Sequence, residues 1–383
     1  MASIYFDHAA TTPMIPEAAA AYAEAAGAGL GNPSSLHAFG RAARSRVTAA
    51  RDALADLLGC SAAELVFTGS GTESDNAALF GAAEAQRARG RTGIVTTSVE
   101  HHAVLNACLQ LEKRGFRLTL LPADETGRVS AADASAAIDE TTAVVSVMAG
   151  NNETGTLQPY AEIGDIARER GAVMHVDAVQ AFGYERWDLK RLPIDMLSLS
   201  AHKINGPQGV GLLYVRRGTP FQPLLFGGTQ ERARRAGTEN VPGIAAFAEA
   251  AKIAFRDMDA RIRLVEDVRD AFLNALRTDL GEEAFRLNGH AELRLPHIAN
   301  LSFPGITSEN MLMNLDLAGV AASGGSACTS GSLQPSHVLT AMRLPPERLQ
   351  SAVRFSFGMG NTRQEAEKTA KIIATISARL RIS

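Results

Sequence analysis

Two hydrophobic periods alternate along the chain up to about residue 255. Alanine-rich stretches with apolar residues three or four apart are followed by short, wholly apolar, β-branched runs. "RAARSRVTAARDALADLLG" predicts a helix that stops at Gly59, and "ELVFTGSGTESDNAALFGAAEAQRARG" predicts a strand, a Gly-rich turn and a helix. "GIVTTSVEHHAVLNACLQLEKRG", "AVVSVMAGNNETG", "IGDIARERGAVMHVDAVQAFG" and "DMLSLSAHKINGPQGVGLLYV" continue the alternation. Apolar strands between amphipathic helices predict an α/β fold, with a mostly parallel sheet covered on both faces. Near residue 255 the pattern changes to one long charged helix, "AKIAFRDMDARIRLVEDVRDAFLNALRTDL", and then to a patchier strand–helix mixture. The domain boundary is placed within that helix: a large domain over 13–255, and a small one over 256–383 together with 1–12.

Composition narrows the class without naming a chemistry. A chain of 383 residues is long enough for two packed domains, and 46% hydrophobic with 21% charged residues is ordinary for a soluble globular protein. A net charge of −3 gives no reason to expect direct nucleic-acid binding. Cys60, Cys108 and Cys328 are too few and too scattered for a disulfide framework. The start, "MASIYFDHAATTP", has neither a basic n-region nor an apolar h-region. No run approaches the roughly 18 apolar residues of a membrane span. The expectation is a reduced, cytoplasmic protein that does not enter a membrane.

Candidate chemistry gathers at the predicted strand ends. Lys203 follows an apolar strand and precedes a Gly/Pro loop, the place where ligands bind in open α/β sheets. A lysine amine there can serve as a nucleophile, although a surface lysine is the plainer reading of that residue alone. Asp177 and Gln180 end another strand; a carboxylate facing a heteroaromatic ring nitrogen would keep it protonated. Gly69, Gly71, Thr72 and Glu73 form a strand-to-helix turn whose exposed N–H groups suit an anion, and it is neither a dinucleotide fingerprint nor a P-loop. His101 follows a further strand, where an imidazole could stack on a flat ring, carry a proton or simply cap the helix. Cys328 stands in "ASGGSACTSGSLQPSH", residues 322–337, among Gly324, Gly325, Gly331 and small polar residues. A thiol so placed is built to be reached, unlike Cys60 and Cys108, which sit amid apolar neighbours on predicted helices and read as buried. His175, His202 and His337 are too scattered for metal-ligand spacing, and Arg232, Arg234 and Arg235 read as a solvated or interface turn.

With these residues in view the chain resembles the cysteine desulfurases, fold-type-I enzymes dependent on pyridoxal phosphate. The resemblance runs nearly end to end through "IYFDHAATTP", "GNPSSLHAFGRAAR", "VFTGSGTESDNAAL", "VEHHAVLN", "NNETGTLQP", "HVDAVQAFG", "SLSAHKINGPQGVGLLYVR", "RRAGTEN", "SGGSACTSGS" and "VRFSFG". It implies a mixed, mostly parallel seven-stranded sheet between helices, plus a smaller α+β C-terminal domain. It also implies that Lys203 holds pyridoxal 5′-phosphate as an internal aldimine, that Asp177 pairs with the ring nitrogen and that Gln180 bonds the ring hydroxyl. His101 would stack on the ring, assist proton transfer and take the thiol proton. Gly71, Thr72, Ser200 and His202 would hold the phosphate, and Thr238 would reach it across a homodimer interface. Asn152 lies by cofactor and substrate, and Arg354 would hold the amino acid, its guanidinium fork suiting an α-carboxylate.

The reaction so implied takes sulfur from L-cysteine, leaves alanine and forms a persulfide on Cys328 for an acceptor protein. The long Ser/Gly-rich loop resembles the branch of the family used for general sulfur supply. No resident metal is expected, although a transient iron–sulfur contact through Cys328 stays open. The ending "ATISARLRIS" lacks the longer tail of many iron–sulfur suppliers, so iron–sulfur assembly, transfer-RNA thiolation and DNA sulfur modification stand as alternative destinations. An aminotransferase or cysteine lyase that does not need Cys328, and a silent sulfur-transfer scaffold, are the competing readings.

Overall fold

In the computed structural model, which describes residues 3–28, 31–325 and 335–381, the chain forms three sheets. The strands are β1 (Ile4–Tyr5), β2 (Leu65–Thr68), β3 (Gly93–Thr97), β4 (Arg117–Leu121), β5 (Thr142–Met148) and β6 (Val173–Asp177). They continue with β7 (Met196–Ser200), β8 (Gly211–Val215), β9 (Arg286–Asn288), β10 (Ile298–Ser302), β11 (Val320–Ala321) and β12 (Ala352–Ser356). The seven-stranded sheet has the order β2-β8-β7-β6-β5-β3-β4. Only β8 runs against its neighbours β2 and β7; the remaining pairs are parallel.

The sequence pattern explains this sheet. β2, β3, β5, β6, β7 and β8 are buried at every position, as expected for strands covered by helices on both faces. β4, one of the two edge strands, is mostly half-exposed or exposed, so its "RLTLL" carries no continuous apolar signal and sequence reading passes over it. Helix Ala38–Leu58 does end at Gly59, whose φ of +62° is left-handed; an added Cβ would also lie 3.0 Å from the Asp188 carboxylate.

One expectation is corrected. The long charged helix is two: Val241–Arg256 and Met258–Leu280, meeting at Asp257 (φ −103°, ψ 15°). Backbone bonds run unbroken across the joint, from Asp257 N–H to Ile253 O and from Arg261 N–H to Asp257 O. Periodicity therefore reads through it. Asp257 grips the Arg256 guanidinium at 2.9 and 2.7 Å and places an acid at the start of the second helix, which its dipole favours.

Beyond that joint, β12-β10-β9 form an antiparallel sheet, and helices Met258–Leu280 and Arg363–Arg381 pack together. β1 pairs in parallel with β11; a bridge from Asp7 to Ser356 ties the N-terminal segment to β12, and one from Ser323 to Arg354 ties the stretch after β11 to the same strand. This brings residues 7–10 to the carboxyl ends of the large sheet, beside Lys203.

Candidate active site

β2, β3, β5, β6 and β7 each lead to a polar residue on one cavity of about 190 Å³. β2 leads through Ser70 into helix Gly71–Arg87; β3 leads to His101, β5 to Asn152, β6 ends at Asp177, and β7 ends at Ser200 before the short turn that holds His202 and Lys203. Arg354 enters from β12, and Ala9 and Ala10 from the N-terminal segment.

The turn after β2 is made for an anion. Ser70 Oγ accepts the Glu73 N–H at 3.1 Å, and the Glu73 carboxylate turns back to accept the Gly69 N–H at 2.7 Å. Arg235 pairs with Glu73 at 2.8 Å, so at least one member of the Arg-rich turn is tied beside this helix start. Gly71 and Thr72, at the first helical positions, have no intrahelical acceptor for their N–H groups. A Cβ at Gly71 would sit 2.8 Å from Val179, so the wall closes this tightly only around glycine.

Lys203 Nζ donates to the carbonyls of Ala9 and Ala10, at 2.6 and 2.7 Å. Gln180 Nε2 donates to the same Ala9 carbonyl at 2.9 Å, and His297 approaches its Oε1 at 3.4 Å. Asp177 accepts the Val179 N–H at 2.9 Å; burial lifts its pKa to about 6, while that bond and the Lys203 charge hold it down. His202 Nδ1 lies 3.1 Å from Thr11 Oγ1, and burial followed by the Lys203 charge lowers its pKa to about 4.

His101 is the N-cap of helix His102–Lys113, its Nδ1 accepting the Ala103 N–H at 3.1 Å. Burial, then Lys203, His102, His337 and Arg354, push its pKa down to about 4. The ring is thus neutral with its proton on Nε2. With Nδ1 committed to the cap, Nε2 is the ring nitrogen left for other contacts.

Arg354 is 1% exposed. It donates to the Asn152 carbonyl at 2.8 Å and pairs with Asp7 at 2.9 Å. Its Nε, like Asn152 Oδ1, is buried without a hydrogen-bond partner among the described residues. Both residues line the cavity, so a ligand with a hydrogen-bond donor and an anionic group would satisfy the wall. Thr238 is exposed and lies outside the lining of its own chain's cavity.

Cys328 and Gly331 lie outside the described residues. Their flanks are well placed. Ser323 donates to Asp7, Ser336 to Glu153 next to Asn152, and His337 Nε2 stands 2.8 Å from the Glu100 carbonyl next to His101. The other thiols are muted by burial: Cys108 is pushed far up, and Cys60 up to about 12. Cys60, expected on a helix, is instead half-buried one residue beyond the Gly59 cap.

Sequence reading missed Asp7, Asp75 and Glu100. Glu100 is fully buried; its Oε1 accepts from Thr97 Oγ1 at 2.8 Å and Met148 N–H at 2.9 Å, and Oε2 has no hydrogen-bond partner among the described residues. Burial raises its pKa to about 8 from an ordinary 4.5. The stabilisation carried by the protonated form is complete below 4.5 and lost as pH rises to about 8. Glu100→Gln keeps the neutral form at every pH. Its melting temperature is therefore expected to gain on the parent's steadily across that window, as calorimetry at a series of pH values would show. A pH-independent difference between the two chains would contradict a neutral Glu100.

The description "Aminotransferase class-V" belongs to the family model that matches residues 4–369. A putative cysteine desulfurase IscS 1 of Bacillus subtilis (strain 168) is 49% identical over 381 residues, covering 99% of this chain and all of the relative. A solved NifS-like protein superposes with a TM-score of 0.92 at 35% identity, over 98% of this chain and all of the other. A structure described as SspA in complex with cysteine superposes with a TM-score of 0.80 at 32% identity, over 93% and 99% of the two chains.

Proposed function

Because this chain belongs to the aminotransferase class-V family and, within it, to the cysteine desulfurases, we propose that its cavity binds pyridoxal 5′-phosphate and L-cysteine and that Cys328 receives the sulfur. The observation that carries the reading is the convergence of Lys203, Asp177, Asn152 and Arg354 on one cavity.

The residues fit the cofactor. The helix start at Gly71 and Thr72, with Ser200 and His202, would take the phosphate; Asp177 would face the ring nitrogen, and the second N–H of Gln180 the ring oxygen. The neutral His101 ring would lie on the cofactor plane, and Lys203 Nζ would anchor it. Bound there, the cofactor supplies an electron sink for the pair left when substrate Cα loses its proton. Lys203 Nζ, released by the substrate amine, holds that proton. Arg354 keeps its Nε–H and the second hydrogens of both terminal nitrogens for the substrate carboxylate. The Cys328 thiolate attacks the substrate sulfur: an S–S bond forms, the Cβ–S bond breaks and its electron pair stays on Cβ. Return of the proton held on Lys203 Nζ to Cβ gives alanine. The persulfide then passes to an acceptor protein.

Thr238, exposed on its own chain, is proposed to complete the phosphate site of a second copy in a homodimer. The exposed Phe226 (87% accessible) in the preceding loop supplies apolar surface for that contact.

Purified chain with pyridoxal phosphate and L-cysteine is expected to yield alanine, and sulfide in equal amount when a thiol reductant is present. Absence of alanine would contradict the reading. Arg354→Lys is expected to raise KM for L-cysteine about 10- to 100-fold with a smaller change in kcat, because an ammonium cannot reproduce the fork. Steady-state kinetics with an unchanged KM would remove Arg354 from substrate binding.

A further inference from the structure

A polar layer that the mechanism leaves unused reaches the cavity wall at Asp75 and runs behind it. His175 and Asp177 alternate along β6 and so share one face of the sheet. Ser146 of β5 stands opposite His175, and Ser198 of β7 opposite Asp177, on that same face. Helix Gly71–Arg87 packs over these strands and contributes Asp75. The His175 ring is held at both ends by hydroxyls, Nδ1 by Ser146 at 2.8 Å and Nε2 by Ser198 at 2.9 Å. Asp75 Oδ1 is 3.6 Å from His175 Nε2, beyond hydrogen-bond reach, and has no hydrogen-bond partner among the described residues, while the Ser198 hydroxyl bonds the Asp75 carboxyl and partly offsets its upward push.

This layer is dry. His175 and Glu100 are 0% exposed and Asp75 1%. The groups facing Asp75 are Asp177 and His175 from β6, Ser198 from β7, Glu100 from the turn after β3, and the Cys108 thiol from helix His102–Lys113. Lys203 faces Asp177. Three neighbouring buried carboxylates would leave unpaired buried charge, which protonation relieves far more cheaply than any rearrangement. An Asp75 carboxylate with a His175 imidazolium would draw together into a short charge-assisted bond, which the 3.6 Å gap is not.

We propose that Asp75 is a positioning residue for Asp177: it stands as a neutral carboxylic acid within the Ser146–His175–Ser198 layer and so leaves Asp177 as the single anion beneath the cavity. Burial and the neighbouring Asp177 charge both push the Asp75 carboxyl up, and burial keeps the His175 ring neutral, with a pKa near 3. The inference rests on the reading in which Asp177 faces the cofactor ring nitrogen, and gives that contact its charge: one undivided negative charge, rather than one shared among three acids.

Carbon-13 labelling of aspartate carboxyls in the full chain tests it without turnover. At neutral pH one resonance is expected at the position of a protonated carboxyl; Asp75→Asn removes it and Glu100→Gln does not. In Asp75→Asn the titration midpoint of Asp177 is expected to stay within about half a pH unit of the parent's, because one neutral group replaces another. No protonated-aspartate resonance, or a midpoint lowered by more than about one unit as loss of a neighbouring anion requires, overturns the proposal. Asp75→Ala is expected to weaken pyridoxal phosphate binding about tenfold in equilibrium dialysis, with Asp75→Asn restoring most of it. Equal weakening in both variants would leave a merely space-filling role and overturn positioning. Asp177→Asn tests the underlying reading separately: unchanged cofactor affinity there removes the ring-nitrogen role of Asp177, whatever the Asp75 resonance shows.

Discussion

Lys203→Ala is expected to lower alanine formation from L-cysteine by about a thousandfold or more, the usual consequence of deleting a covalent anchor that also handles a proton. Lys203 Nζ sits over two carbonyls, Ala9 and Ala10, at the cavity wall, and no second lysine lines that cavity. The check is physical as well as kinetic. Borohydride treatment of the parent chain with pyridoxal phosphate should fix the cofactor to the peptide that contains Lys203, and the variant should give no such peptide. A fixed cofactor on the variant would mean that the anchor lies elsewhere. Thermal melting of the ligand-free chains separates this loss from misfolding.

Cys328→Ser is expected to keep the bound cofactor and its visible absorption while alanine formation falls about a hundredfold or more, since a hydroxyl cannot take sulfur from a thiol substrate. Neither remaining cysteine can stand in. Cys108 is wholly buried and Cys60 half-buried, with both thiols pushed well above neutral pH by burial. This variant also separates the competing chemistries: an aminotransferase or a simple lyase on the same fold would keep its rate. Measuring alanine and cofactor absorbance on one sample decides the matter.

What could be read from the amino-acid order, and what could not, follows from where polar residues stand. Lys203, Asp177, His101 and the Gly71 turn were legible because each ends or closely follows a buried, mostly apolar strand, so a polar residue there marks a sheet terminus. Asp75 and Glu100 were not. Asp75 lies one turn inside helix Gly71–Arg87 and Glu100 one residue before His101, and a lone acid leaves no period that distinguishes burial from exposure. Asp7 was illegible for another reason: its partner Arg354 is 347 residues away, joined to it only through the pairing of β1 with β11 and the bridges to β12. The reading of His101 named its neighbourhood but not its tautomer, which the Ala103 N–H sets. The break at Asp257 escaped because backbone bonding and periodicity both continue through it.

The most direct measurement is the intact mass of the chain after one turnover with L-cysteine and no reductant, followed by peptide mapping. A gain of one sulfur atom on the peptide that contains Cys328, matched by one equivalent of alanine, is the expected result. Alanine formed with no added sulfur on that peptide, or sulfur found on Cys60 or Cys108 instead, would contradict the account.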